Sequence, residues 1–153
     1  MTAHFHLDPA AVAIVAAKSK DAILEALAAQ FAAAYGLDAA EVLERLDERE
    51  HLGSTGFGRG VAMPHARVEG IKRPVAALLK LAESADFAAA DGLPVDLVFG
   101  LVSPEQCGAT HLHALAAISR LVRDERIHEA LNEAPDAEAL YGLVSNAADR
   151  DAA

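Results

Sequence analysis

Apolar residues along this chain follow two rhythms. Val12 to Ala16 (VAIVA) is a short unbroken apolar run that predicts a strand. Leu24, Leu27, Phe31 and Tyr35 then fall at helical spacing and define the buried stripe of a helix, with Ser19 or Asp21 as its cap and Gly36 as its stop. Asp38 with Glu41 makes a capping-box-like start for a second helix, with Val42, Leu43 and Leu46 facing inward and an end near Arg49. The run Gly53-Ser-Thr-Gly-Phe-Gly-Arg-Gly60 predicts a loop. It leads into Val61-Ala-Met63 and then Pro64-His65. Two further apolar runs, Val75 to Leu81 and Val95 to Val102, predict strands; the second is interrupted by Asp96 and Gly100 and reads as mostly buried. Asp91-Gly92 between them predicts a turn.

The period returns to helical from Thr110 to Arg123. Two short helices are expected near 124–132 and 136–146, the latter capped by Asp136, with Asn146 to Ala153 frayed. Strands interspersed with helices predict an α/β sandwich around a mixed sheet. A length of 153 residues suits one domain, with a core from about 8 to 145.

Composition narrows the chemistry. The formal net charge of -10 disfavours binding to nucleic acid or to an anionic membrane surface, and suits a basic protein patch. Cys107 is the only cysteine, so neither an internal disulfide nor a cysteine metal cluster is expected, which suits a reducing cytoplasm. The start MTAHFHLDPA has no basic segment followed by an apolar run, so no signal peptide is expected. No apolar stretch reaches the roughly 18–20 residues that a membrane span needs.

Seven histidines raise the question of histidine chemistry. His4 and His6 read as solvated tail residues, and His51 and His128 as surface residues on charged helices. His65 differs. Pro64 fixes its own φ and forces an extended Met63 before it, so the imidazole sits on a restrained backbone at a strand end, beside a glycine-rich loop. Such a loop, with Ser54, Thr55 and Gly56, can turn backbone amides toward an anion. It lacks the lysine and spacing of a nucleotide P-loop, and taken alone it reads as a surface turn. His111 and His113 flank Leu112; at roughly 100° per residue their rings point about 160° apart on a helix, His111 on the apolar face and His113 toward solvent. That split makes the pair a poor metal site. His111 and Thr110 lie in the first turn of their helix, where free N–H groups favour an anion. Arg49, at the end of the second helix, can hold phosphate oxygens in two-pronged fashion, although a salt bridge on that charged helix is the commoner role. Together these residues suit phosphoryl transfer by neutral imidazole, with no cofactor required when the phosphate arrives already activated on a donor.

The stretch from Arg49 to Ala66 (REHLGSTGFGRGVAMPHA) resembles the active-site signature of the fructose/mannitol/nitrogen-type enzyme IIA domains of bacterial phosphotransferase systems. Glu50 and Phe57 to His65 match its layout, and Pro94 to Val102 and Thr110 to Leu115 are similar to later segments of the family; Ala66 stands where many relatives have glycine. The resemblance implies a mixed sheet of about five strands with helices on both faces. It implies that His65 is phosphorylated, with His111 beside its ring and Arg49 supporting the phosphate. It further implies an HPr-like phosphocarrier protein (NPr) as donor, docking on an apolar rim assigned to Leu52, Phe57 and Met63. The Arg-Glu-x-x-Gly-Ser-Thr-Gly run is most similar to the nitrogen-regulatory branch, whose members regulate targets such as kinases or ion transporters. The alternatives are a sugar-specific enzyme IIA passing phosphate to enzyme IIB, a non-catalytic anion-binding module, and, least favoured, a metal-dependent hydrolase.

Overall fold

A computed structural model describes residues 4–152, with side chains through 150. The elements run in chain order as β1 (His6–Val15), α1 (Lys20–Tyr35), α2 (Ala39–His51), β2 (Gly56–Gly58), β3 (Val61–Ala62), β4 (His65–Val68), β5 (Val75–Ala85), β6 (Val95–Pro104), α3 (Thr110–Arg123), α4 (Glu125–Glu133) and α5 (Ala137–Ala152). Most helix ends are set by local capping. Ser19, rather than Asp21, accepts from the Ala22 amide to start α1, and Gly36, at φ 70, closes it on the Ala32 carbonyl. Asp38, Asp124 and Asp136 cap α2, α4 and α5 in the same way.

The sheet is mixed, in the order β1-β5-β6-β3-β2, with β4 also paired to β6. β1 runs parallel to β5, β5 antiparallel to β6, and β3 and β4 both parallel to β6. Val95, Leu97, Val98, Phe99, Leu101 and Val102 of β6 are all buried, so both faces of the central strand are covered. At Gly100 the covering is close: a Cβ there would lie 2.7 Å from the Leu27 side chain, so the missing side chain lets α1 press onto the strand.

Six strands form where about five were expected, for two reasons. Pro64 interrupts the path beside β6, so β3 (Val61↔Leu97) and β4 (His65↔Leu101) are two pieces of one track, bridged by the Leu101 amide on the Pro64 carbonyl at 3.0 Å. Part of the predicted glycine loop is also strand. β2 and β3 form a hairpin across Arg59 (φ 60) and Gly60 (φ 81), the two positive φ values that a tight hairpin turn needs.

Four other expectations change. β1 starts at His6, not Val12, with a register irregularity between Leu7 and Val12. His6 therefore belongs to the sheet, its ring edge-on to Tyr35, and not to a solvated tail. α5 continues to Ala152, with Ala147 and Ala148 buried, so the stretch after Asn146 is docked through those residues; Ala153 lies outside the described residues. His128 is largely buried, 3.6 Å from Asp96, where surface exposure was expected.

Candidate functional site

His65 opens β4 immediately after Pro64, at the point where the track beside β6 resumes. Its Nδ1 lies 2.8 Å from the Met63 carbonyl. A carbonyl only accepts, so Nδ1 carries the proton and Nε2 keeps the lone pair. Nε2 in turn accepts a 3.2 Å hydrogen bond from Arg49 Nε. Burial lowers the His65 pKa from its usual 6.5; the Met63 carbonyl works against that and the Arg49 charge adds to it. The imidazole is therefore neutral at pH 7.

Arg49 reaches this position from the last turn of α2 and is braced by a second bond, Nη1 to the Gly53 carbonyl at 2.9 Å. The loop that presents Gly53 is held by a buried carboxylate. Glu50 is 8% exposed and accepts from the Thr55 amide (3.1 Å), from the Thr55 hydroxyl and from Lys20 Nζ (2.9 Å). The acid of the sequence signature thus anchors the turn between α2 and β2.

His111 lies in the first turn of α3, buried as its helical face predicted, while His113 is exposed. The His65 and His111 ring centroids are 5.6 Å apart. His111 Nδ1 is 2.6 Å from the hydroxyl of Ser103, a fully buried residue of β6. Burial above all, then His65 and Arg67, push the His111 pKa down to about 4, so this ring is also neutral at pH 7.

The two imidazoles line an open hollow of about 330 Å³ that also has Arg45, Arg49, Arg67 and Leu52 on its walls, with Glu48 as its acidic member. Arg45 and Arg67 were not singled out from the sequence, but simple periodicity reaches both. Arg45 is one helical turn before Arg49, and Arg67 is two strand positions after His65, hence on the same face. Arg67 Nη1 is 3.8 Å from Cys107 Sγ, and Arg45 is 3.7 Å from Glu105. Ser103 carried no sequence signal beyond being a polar residue at the end of an apolar run.

Other expected site residues lie elsewhere or have other work. Ser54 Oγ donates to the Phe87 carbonyl and accepts from the Gly56 amide, the Gly56 carbonyl accepts from Ala90, and Thr55 is tied to Glu50. These three hold the turn in shape and do not line the hollow. Thr110 is an exposed residue at the start of α3. In the proposed docking rim, Leu52 is 84% exposed, but Met63 is only 8% exposed. Phe57 packs under the Arg123 guanidinium, 5.4 Å from its ring centroid. Arg123 ends α3, roughly 20 Å along the helix from His111, so Phe57 sits away from the hollow. Leu112, next to His111 and 62% exposed, is an apolar neighbour that the sequence reading omitted. Among the described residues, no group of three or more His, Cys, Asp or Glu is arranged to hold a metal ion, and no helix is long and apolar enough to cross a membrane.

A neutral imidazole with one directed lone pair, facing a hollow lined by guanidinium groups, is suited to attack an electrophile that carries negative oxygens. Comparisons with known proteins point the same way. The family model described as "Phosphoenolpyruvate-dependent sugar phosphotransferase system, EIIA 2" matches residues 6–147. The chain is 46% identical over 107 residues to a nitrogen regulatory protein of Pseudomonas aeruginosa, covering 70% of each sequence. It is 42% identical over 127 residues to the nitrogen regulatory protein of Bradyrhizobium diazoefficiens, covering 83% of each. The crystal structure of nitrogen regulatory protein IIA-Ntr from Neisseria meningitidis superposes with a TM-score of 0.83 at 34% identity, covering 90% of this chain and 95% of that one. The fold, the match across nearly the whole chain and these relatives agree that the chain belongs to the EIIA 2 family of the phosphoenolpyruvate-dependent sugar phosphotransferase system.

Proposed function

We propose that this protein is a phosphoryl carrier of the nitrogen-type phosphotransferase system, which accepts phosphate from an HPr-like phosphocarrier protein (NPr) onto His65 and acts mainly as a regulator. The observation that carries the reading is the directed lone pair: Nδ1 of His65 is pinned to the Met63 carbonyl, which leaves the lone pair on Nε2 of a ring that lines the hollow and suits it to act as the nucleophile. In the transfer, Nε2 forms a bond to phosphorus as the donor's phosphorus–nitrogen bond breaks, and the electron pair of that bond returns to the donor imidazole. Arg49 releases Nε2 and turns its guanidinium to the phosphoryl oxygens, where Arg67 and His111 add further donors. Phosphorylation-sensitive binding to targets such as kinases or ion transporters is the output, favoured by the nitrogen regulatory names of the relatives.

The test is incubation with phosphoenolpyruvate and the two upstream phosphotransferase proteins, followed by mass spectrometry of the intact protein and its peptides. Acid-labile, alkali-stable phosphate on His65, and none on His65→Ala, is expected. Phosphate on another residue would overturn the site. Efficient onward transfer to a purified sugar-transport enzyme IIB would favour the sugar-specific alternative.

A further inference from the structure

The inner side of the His111 ring is held by one group, the Ser103 hydroxyl, 2.6 Å from Nδ1. Ser103 is fully buried, and among the described hydrogen bonds its hydroxyl has His111 as its only side-chain partner. Two proton arrangements fit that distance. If Nδ1–H donated, the serine would be left with a buried O–H and no acceptor, which is costly. If the serine donates, one bond satisfies both groups, and the ring proton must sit on Nε2. Nε2 is then a donor on an imidazole that lines the same hollow as His65.

We infer that Ser103 is a positioning residue which, by donating its hydroxyl proton to Nδ1 of His111, locks that ring as the Nε2–H tautomer aimed at a phosphoryl group on His65. This rests on the phosphoryl-carrier reading above and assigns a role to a residue outside the signature. It also explains how a histidine can serve an anion without being charged. With its pKa near 4, His111 binds as a neutral donor, and the tautomer, not the charge, decides whether its outward nitrogen donates to the phosphate or repels it with a lone pair. The arrangement complements His65. There a backbone carbonyl puts the proton on Nδ1 and leaves Nε2 as the nucleophile. At His111 a hydroxyl does the reverse, so the site holds two neutral imidazoles of opposite tautomer.

The test combines a spectroscopic and a kinetic readout. In protein carrying 15N-histidine, the His111 shifts at pH 7 should be pyridine-type at Nδ1 and pyrrole-type at Nε2. In Ser103→Ala the two should move toward a mixture, and in Ser103→Thr, which keeps the hydroxyl, they should return. Phosphoryl acceptance from the HPr-like donor should slow about five-fold in Ser103→Ala, the size of one net neutral hydrogen bond. In a His111→Ala background the same substitution should change nothing, because its effect runs through that ring. A pyrrole-type Nδ1 in the parent protein would overturn the inference. So would unchanged shifts in Ser103→Ala, or an equal slowing without His111. The shifts are read on unphosphorylated protein, so a chain that takes no phosphate at all would sink the carrier reading while leaving the tautomer assignment measured.

Discussion

At His65 the Nε2 lone pair is shielded at rest. The lone pair that would attack phosphorus is occupied by Arg49 Nε, and the guanidinium is steadied by the Gly53 carbonyl. This bond costs little to exchange, since the same group can satisfy the incoming phosphate with charge-assisted bonds worth about 1.5–3 kcal/mol. It also affects the pH response. Protonation of the ring is opposed by burial and by the Arg49 charge, so the neutral, reactive form persists below the usual 6.5. The acid limb of phosphoryl acceptance should therefore lie below pH 6.5. In Arg49→Gln one lowering cause is gone, so the limb should move up toward 6.5, while the plateau rate falls about ten-fold or more, as expected for one charge-assisted bond. An NMR titration of the His65 ring in both proteins, run beside the rates, checks the sign. A His65 pKa above 6.5, or one that Arg49→Gln leaves in place, would contradict the account.

At the scale of elements, the site depends on how α2 turns into β2. Glu50 carries that turn: its carboxylate, almost fully buried, satisfies the Thr55 amide and hydroxyl and pairs with Lys20. Removing one member of a buried, paired charge network costs about 3–5 kcal/mol, because the remaining groups lose their partners. Glu50→Ala should lower the chemical-denaturation stability by about that much, and should also slow phosphoryl acceptance under folding conditions, because Gly53 and with it Arg49 lose their seat. A loss of stability with an unchanged acceptance rate would separate the turn from the site. These connections mark the limit of what the sequence shows. Helical stripes such as Leu24, Leu27 and Phe31, and caps such as Asp38 and Asp136, were legible because they act within a few residues. So was the placing of His111 on an inward face. Strand β2 at Gly56–Gly58 was hidden because three residues, two of them glycine, show no alternation to read. The extension of β1 back to His6 was hidden because Pro9 and the polar Asp8 argue against a strand, and only pairing with β5 overrides them. Met63 looked like a rim residue beside His65, yet it is buried and its amide is bonded to the Thr55 carbonyl across the loop, a contact that no local pattern reports.

Across the whole molecule, charge is distributed unevenly. The chain has a formal charge of -10, yet the hollow at His65 is walled by three guanidinium groups. Under the proposed function, an incoming phosphoprotein would meet two fields. At short range the arginines would attract its phosphate; at longer range the acidic surface, including Glu44 and Glu48 on the exposed side of α2, would favour a donor with a basic face. The long-range part is screened beyond about 8 Å at physiological salt, whereas apolar contact at the rim is not. In the proposed docking, Leu52, the most exposed large apolar residue at the hollow, is the side chain placed to make that contact. The two contributions should therefore come apart in one experiment. Acceptance from the HPr-like donor at low concentration should slow several-fold between roughly 20 and 300 mM salt. Leu52→Ala should raise the half-saturating donor concentration about ten-fold at every salt concentration, as loss of an interface anchor does. Its thermal unfolding midpoint should stay where it was, since an exposed side chain contributes little to the core. The two slopes against salt should be parallel: Leu52→Ala shifts the curve and leaves its steepness alone. A donor that charges the protein equally well at all salt concentrations, or a Leu52→Ala protein that saturates as the parent does, would mean that the rim and the acidic surface do not guide docking. The arginine-lined hollow would then have to recognise the phosphate by itself.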